Sequence, residues 1–95
     1  MFARNPNLKH IALVAGDEVR VAIASILSSE YVLAYQNLKN KTELLLNRKI
    51  SDGSFNWHLK MLEAGGILTK QPVEGFSLTY KGKEIIGKIK EVMEK

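Results

Sequence analysis

Between positions 36 and 60 the chain carries five basic residues, Lys39, Lys41, Arg48, Lys49 and Lys60, against two acidic ones, Glu43 and Asp52. Residues 1–35 balance three basic against three acidic groups and residues 61–95 carry six against five, so most of the formal charge of +4 sits mid-chain. A positive cluster on a chain of pI about 9.4 suits the neutralisation of a polyanion such as a phosphate backbone. The stretch from Ser51 onward can add selectivity to that charge. With Phe55 as origin and about 100° per residue, Leu59 and Leu62 fall within roughly 40° of it, so these three anchor a helix to a core. His58 lies at the edge of that face. Gly53, Trp57, Lys60 and Ala64 lie roughly opposite, with Ser54 and Asn56 on the flanks. Asparagine can pair bidentately with adenine, and lysine can reach guanine or phosphate. Ser51 and the free N–H groups of the first turn can meet a phosphate, although Asp52 opposes it.

Each of these residues also has a plainer reading. Trp57 could cover a neighbouring loop, Asn56 and Lys60 could be solvated surface, and His58 could be a satisfied half-buried histidine. Lys39, Lys41, Arg48 and Lys49 could form one solvated helix face. Their place just before the Ser51 segment favours clamping of phosphate.

Other chemistry is not expected. The chain has no phosphate-binding glycine loop, no dinucleotide fingerprint, no zinc-protease helix and no nucleophile elbow. With no cysteine, thiolate metal sites and disulfides are excluded. His10 and His58 lack the spaced Asp, Glu or Cys partners of a metal site. The expectation is therefore a non-enzyme without cofactor or metal. The longest apolar candidate, Val19 to Leu27, is interrupted by Arg20 and falls short of the ~20 residues of a membrane span. The first residues show no apolar signal region, so a cytoplasmic location and no membrane partner are expected.

The elements that must position these groups can be read in order. Asn5–Pro6 resembles a cap followed by proline at the first helical position, opening a helix to about Ala15. Gly16 is expected to stop it in the left-handed conformation. Asp17 then caps a helix whose buried stripe is Val19, Ile23, Ile26 and Leu27, ended by Ser28–Ser29–Glu30. Tyr31–Val32–Leu33 reads as a short strand. Ala34 to Asn47 reads as helix, with Leu38 and Leu45 on one face and a break admissible near Asn40–Lys41–Thr42. Ser51 caps a helix from Asp52 to about Ala64, which Gly65–Gly66 terminates. Ile67 to Gln71 and Phe76 to Thr79 form a hairpin around Pro72–Val73–Glu74–Gly75. A last helix runs from about Tyr80 to Met93. The fold class expected is mainly α with a small β-hairpin: a winged helix-turn-helix with extra terminal helices, in one domain spanning 1–95. Residues 34–66 form its helix-turn-helix, 67–79 its wing, and 1–16 and 80–95 its terminal helices.

Three ordered segments resemble a known family. Ile50–Ser51 followed by His58–Leu59–Lys60, Leu62–Glu63 and Gly65–Gly66–Ile67–Leu68 is similar to the recognition-helix motif of ArsR-like winged-helix regulators, particularly archaeal ones. Asp17–Glu18–Val19–Arg20 to Ile23 resembles their second helix, and Phe76–Ser77–Leu78–Thr79–Tyr80–Lys81–Gly82 their second wing strand and following turn. The chain departs from the pattern in a longer Leu38–Ile50 stretch, in Ile67 for the usual leucine, and in Glu74 at the wing tip, where a cation is frequent. The resemblance implies a DNA-binding transcriptional regulator that meets its operator as a dimer. Contacts to double-stranded DNA are then expected from Lys41, Arg48, Lys49, Ser51, Ser54, Asn56, Trp57, Lys60 and, on the first wing strand, Lys70.

A homodimer is expected from Leu8 and Ile11 of the first helix and Ile85, Ile89 and Val92 of the last. These residues lie on apolar stripes that also include Ala12, Ala15, Ile86 and Met93, broader than docking on one core requires. The alternative is that the terminal helices cover each other within one chain. Two other functions stay open on the same features: a protein–protein adaptor module, and a non-specific architectural chromatin protein.

Overall fold

A computed structural model of the chain describes residues 8–93. The proposed cap and first turn at Asn5–Pro6 lie outside these residues. Within them the chain is mainly helical, with one small antiparallel hairpin: α1 (Leu8–Ala15), α2 (Glu18–Ser29), α3 (Tyr35–Leu46), α4 (Asp52–Ala64), β1 (Leu68–Gln71), β2 (Gly75–Leu78) and α5 (Tyr80–Met93). No helix among the described residues is long and apolar enough to cross a membrane.

Local chemistry sets most boundaries. Asp17 accepts a hydrogen bond from the Val19 N–H at 2.7 Å, which satisfies one of the donors left free at the start of α2. Gly16 is not left-handed; among the described glycines only Gly66 and Gly75 have positive φ. Asp17 takes up an extended conformation immediately, so no reversal is needed at Gly16. What Gly16 supplies is space, because a Cβ there would lie 2.6 Å from the Ala12 carbonyl oxygen. Ser28 and Ser29 belong to the last turn of α2 and donate their hydroxyls to Ser25 and Ile26 carbonyls.

The helix α3 is continuous through Asn40–Thr42, so the long stretch before α4 is accommodated by extension. Asn47 ends it in the left-handed conformation, with φ 55° and ψ 44°. The N–H of Asn47 then reaches the Leu44 carbonyl and that of Arg48 the Glu43 carbonyl. The end of α4 repeats this geometry with glycine. Gly66, at φ 78°, donates to Glu63, and Ile67 donates to Leu62.

Leu68 pairs with Leu78 and Lys70 with Phe76 in the hairpin. The strand expected at Tyr31–Leu33 is reduced to one bridge, in which Leu33 and Phe76 exchange both backbone hydrogen bonds. With α3 beginning at Tyr35, no chain is left to extend the pairing. Gly75 is needed at this bridge, since its φ is 118° and a Cβ would overlap the Leu33 carbonyl. Thr79 joins the hairpin to α5. Its hydroxyl donates to the Gly66 carbonyl and accepts from the Gly82 N–H.

The core is built around α2, which packs against α1, α3, α4 and α5, with Ile23, Leu27, Leu38, Phe55, Leu59, Leu62, Ile67 and Ile85 at its centre. The stripe read on α2 is buried at Val19, Ile23 and Leu27, with Ile26 half-buried. Leu45 departs from expectation: it shares a face with the buried Leu38 yet is 59% exposed. Leu46, one residue on, packs against the core, while Leu45 lines the open groove beside it. Thr42 takes the second buried position and donates its hydroxyl to the Leu38 carbonyl at 2.8 Å.

Candidate nucleic-acid interface

Helix α4 separates its faces as its side-chain spacing requires. Phe55, Leu59 and Leu62 are buried, while Gly53, Ser54, Asn56, Trp57 and Lys60 are exposed. Nothing lies within 4 Å of a Cβ built at Gly53, so the N-terminal end of this face is open. Ser51 is also exposed, and its hydroxyl oxygen accepts from the Ser54 N–H at 3.1 Å as the helix cap.

A brace between α3 and α4 holds this end of α4. Asp52 accepts from the Tyr35 hydroxyl at 2.7 Å and lies 3.5 Å from the Lys39 ammonium. Lys39 also meets Glu43 at 3.4 Å, and Glu43 accepts from the Ile50 N–H at 2.8 Å. The Tyr35 hydrogen bond, then the Lys39 charge, hold the Asp52 carboxyl below its usual range. The Ile50 N–H does most to hold Glu43 down, against some desolvation, with Lys39 and Lys49 assisting. Burial and the Asp52 carboxylate push the Tyr35 phenol up to about 12. Lys39 is thus engaged inside the turn and is not a free phosphate cation, which corrects that part of the expected clamp. Asp52 faces a tyrosine and a lysine, which offsets its repulsion of an anion at the helix start.

The remaining cations fall into two groups. Arg48 meets Glu18 at 2.6 Å and Lys41 meets Glu30 at 3.7 Å, so both already have carboxylate partners on or beside α2. Lys49, Lys60 and Lys70 are exposed and make no salt bridge among the described residues. Lys70 lies 5.8 Å from the centre of the Phe76 ring, and Glu74 is exposed at the hairpin tip.

His58 is buried rather than at the edge of the core face, with 6% of its surface exposed. Its Nδ1 lies 3.0 Å from Arg20 Nη1 and its Nε2 3.8 Å from Asp17. Burial keeps the imidazole below its ordinary pKa; Asp17 pulls it back up, and Arg20 and Arg48 push it further down. Arg20 was not among the residues singled out from sequence. The signals available were a lone arginine inside an otherwise apolar stretch of α2 and its place in the segment that resembles the family's second helix. Tyr35 was likewise missed, since its partner is 17 residues away. Among the described residues no group of three His, Cys, Asp or Glu side chains could hold a metal ion.

The five residues expected at a dimer contact divide. Ile85 and Ile89 are buried in the core, because α5 packs against both α1 and α2. This corrects their assignment as exposed contact residues and matches, in part, the alternative of mutual cover by the terminal helices. Leu8 and Val92 are exposed, and Ile11 is half-buried. An open, largely apolar groove of about 710 Å³ runs between α1, α2, the end of α3 and the end of α5, with Ile11, Val21, Leu45, Ile89, Val92 and Met93 among its lining. No protein-family model matches the chain, and no curated protein or solved structure matches it either.

Proposed function

We propose that the protein is a sequence-specific double-stranded-DNA-binding transcriptional regulator of the ArsR-like winged-helix type, acting as a homodimer with α4 in the major groove. The observation that carries this reading is the uncovered face of α4. Ser54, Asn56, Trp57 and Lys60 are exposed on a helix whose opposite face is locked into the core. Asn56 and Lys60 supply hydrogen bonds to base edges, Trp57 supplies contact area, and Lys49 and Lys70 neutralise phosphates to either side in sequence. Arg48 and Lys41 join them by exchanging a glutamate for a phosphate.

Selection of bound fragments from a random duplex pool, followed by anisotropy titration of the recovered sequence, tests the proposal. A recovered site bound at least a thousandfold more tightly than random duplex is the expected result. A second reading, a protein-docking adaptor, is favoured by Glu74 at the hairpin tip and by the pairing of Arg48 and Lys41 with carboxylates. Failure to bind any duplex at low salt would select it.

A further inference from the structure

Arg20 lies on α2, away from the groups that would touch DNA, yet its side chain ends beneath one of them. Its Nε donates to the Leu13 carbonyl at 2.6 Å, which ties it to α1. Its Nη1 donates to His58 Nδ1 at 3.0 Å. Its guanidinium carbon stands 5.8 Å from the centre of the Trp57 ring, within the ~6 Å reach of a cation–π contact. The Trp57 and His58 rings themselves meet edge to face, with centroids 5.0 Å apart. The indole is 54% exposed, so its inner side has these two groups as packing partners while its outer side is free.

The donor direction decides what state His58 must hold. An arginine does not give up its proton, so Nδ1 of His58 must be the acceptor and the neutral ring carries its proton on Nε2. A protonated His58 has no lone pair for Arg20 and sets two cations 3.0 Å apart. The charged groups facing the ring are Arg20 from α2, Asp17 from the turn before α2 and, at longer range, Arg48 after α3. Asp17 favours the imidazolium, but it lies 3.8 Å away and already caps the Val19 N–H.

We propose that Arg20 is the positioning residue for Trp57, holding the indole on the exposed face of α4 together with neutral His58, so that protonation of His58 lets the indole go. The consequence for DNA rests on reading α4 as the DNA-contacting helix; the hold on the indole does not. Arginine at position 20 does more here than fill space, because its planar fork serves a carbonyl, an imidazole and an indole face at once.

Trp57 is the chain's single tryptophan, so its fluorescence reports on this site alone. The experiment titrates wild type, Arg20→Met and His58→Gln from about pH 8 to pH 5. It follows indole emission, acrylamide quenching, helix content by circular dichroism, and duplex affinity. Wild type is expected to gain quenching in one step below the ordinary histidine pKa of 6.5 with helix content unchanged. Arg20→Met should show the released indole already at pH 8. His58→Gln, whose amide oxygen still accepts from Arg20, should keep the held indole and lose the pH step. Cognate duplex affinity should weaken roughly tenfold across the wild-type step, in the range of one lost base contact. A pH-independent wild-type indole, or a step that persists in His58→Gln, overturns the proposal. The His58→Gln result decides even where Arg20→Met fails to fold. An intact step in a protein that binds no duplex supports the hold on Trp57 and overturns the assignment of α4 to DNA.

Discussion

Asn56 and Lys49 are both exposed polar residues, but their proposed partners differ in kind, and that difference can be measured. Asn56→Ala should cost about 1–3 kcal/mol at the selected site and little on random duplex. Lys49→Ala should weaken every sequence by a similar factor and reduce the salt dependence. Parallel anisotropy titrations on selected and random duplexes separate the two; equal losses on both for Asn56→Ala would remove it from base readout. His58 makes a prediction about stability. Its folded pKa lies below the ordinary 6.5, so the folded state binds fewer protons than the unfolded chain as pH falls through that range. Stability from this group is present above pH 6.5 and is lost as pH falls toward the folded value. Glu43 and Asp52, also depressed, act in a lower window: their contribution is present above their ordinary values of 4.5 and 3.8 and lost below them. Urea midpoints measured every half pH unit should show two declines, and His58→Gln should abolish only the upper one.

At the scale of elements, the geometry of α4 depends on how α3 ends. Asn47 is the described non-glycine residue with positive φ, and it turns the chain so that Arg48, Lys49 and Ile50 lead directly into the Ser51 cap. A left-handed backbone costs most residues roughly 1–2 kcal/mol, and asparagine less. Asn47→Ala should therefore lower stability by about 1 kcal/mol, while Asn47→Gly should be neutral or mildly stabilising. Urea denaturation of the two variants checks this, and an alanine variant as stable as the glycine one would contradict it. The brace of Tyr35, Lys39, Glu43, Asp52 and the Ile50 N–H explains why this turn is held in one arrangement. Four side chains and one backbone donor satisfy one another across α3 and α4, so the start of α4 is presented in a fixed position.

At the scale of the whole molecule, two quantities bear on the proposed function: free charge and uncovered apolar surface. Lys49, Lys60 and Lys70 carry no salt bridge among the described residues, and two protomers supply twice that number. Lys60 is assigned to base edges, so Lys49 and Lys70 give about four phosphate contacts per dimer and a slope of about −4 for log K against log salt concentration, steeper if Arg48 and Lys41 exchange their glutamates for phosphate. A much shallower slope on the selected duplex would mean that these lysines do not reach the backbone. The apolar surface lies beside the groove, where Leu45, Val92 and Met93 are 59%, 72% and 67% exposed. In the proposed dimer a twofold contact there would cover them and would set two copies of α4 against a palindromic site. Val92→Glu places a charge on this surface without entering the core, whereas Ile89→Glu would disrupt folding because Ile89 is buried. Sedimentation equilibrium at micromolar concentration should give a dimer for wild type and a monomer for Val92→Glu. A wild-type monomer, or a dimer indifferent to Val92→Glu, would place the contact elsewhere or remove it.

Much of this architecture was legible in the order of residues. Asp17 and Ser51 as caps, Gly66 as a helix stop, the buried Phe55, Leu59 and Leu62 and the free Asn56 and Lys60 all depend on interactions within about four residues. A backbone turn and a helix face are decided at that range. The sequence also placed the positive charge mid-chain. It did not reveal which cations are free, because Arg48 and Glu18 are 30 residues apart and meet through packing of the chain. The same holds for Arg20 and His58, 38 residues apart, and for the uncovered Leu45, whose face was correct but whose neighbour was absent. Local rules specify the direction a side chain takes from its own element. What stands in that direction is decided by how the elements pack: at Arg20 and Tyr35 packing alone made the partners, and it added Asp52 to Lys39, whose other partner, Glu43, lies four residues on in its own helix.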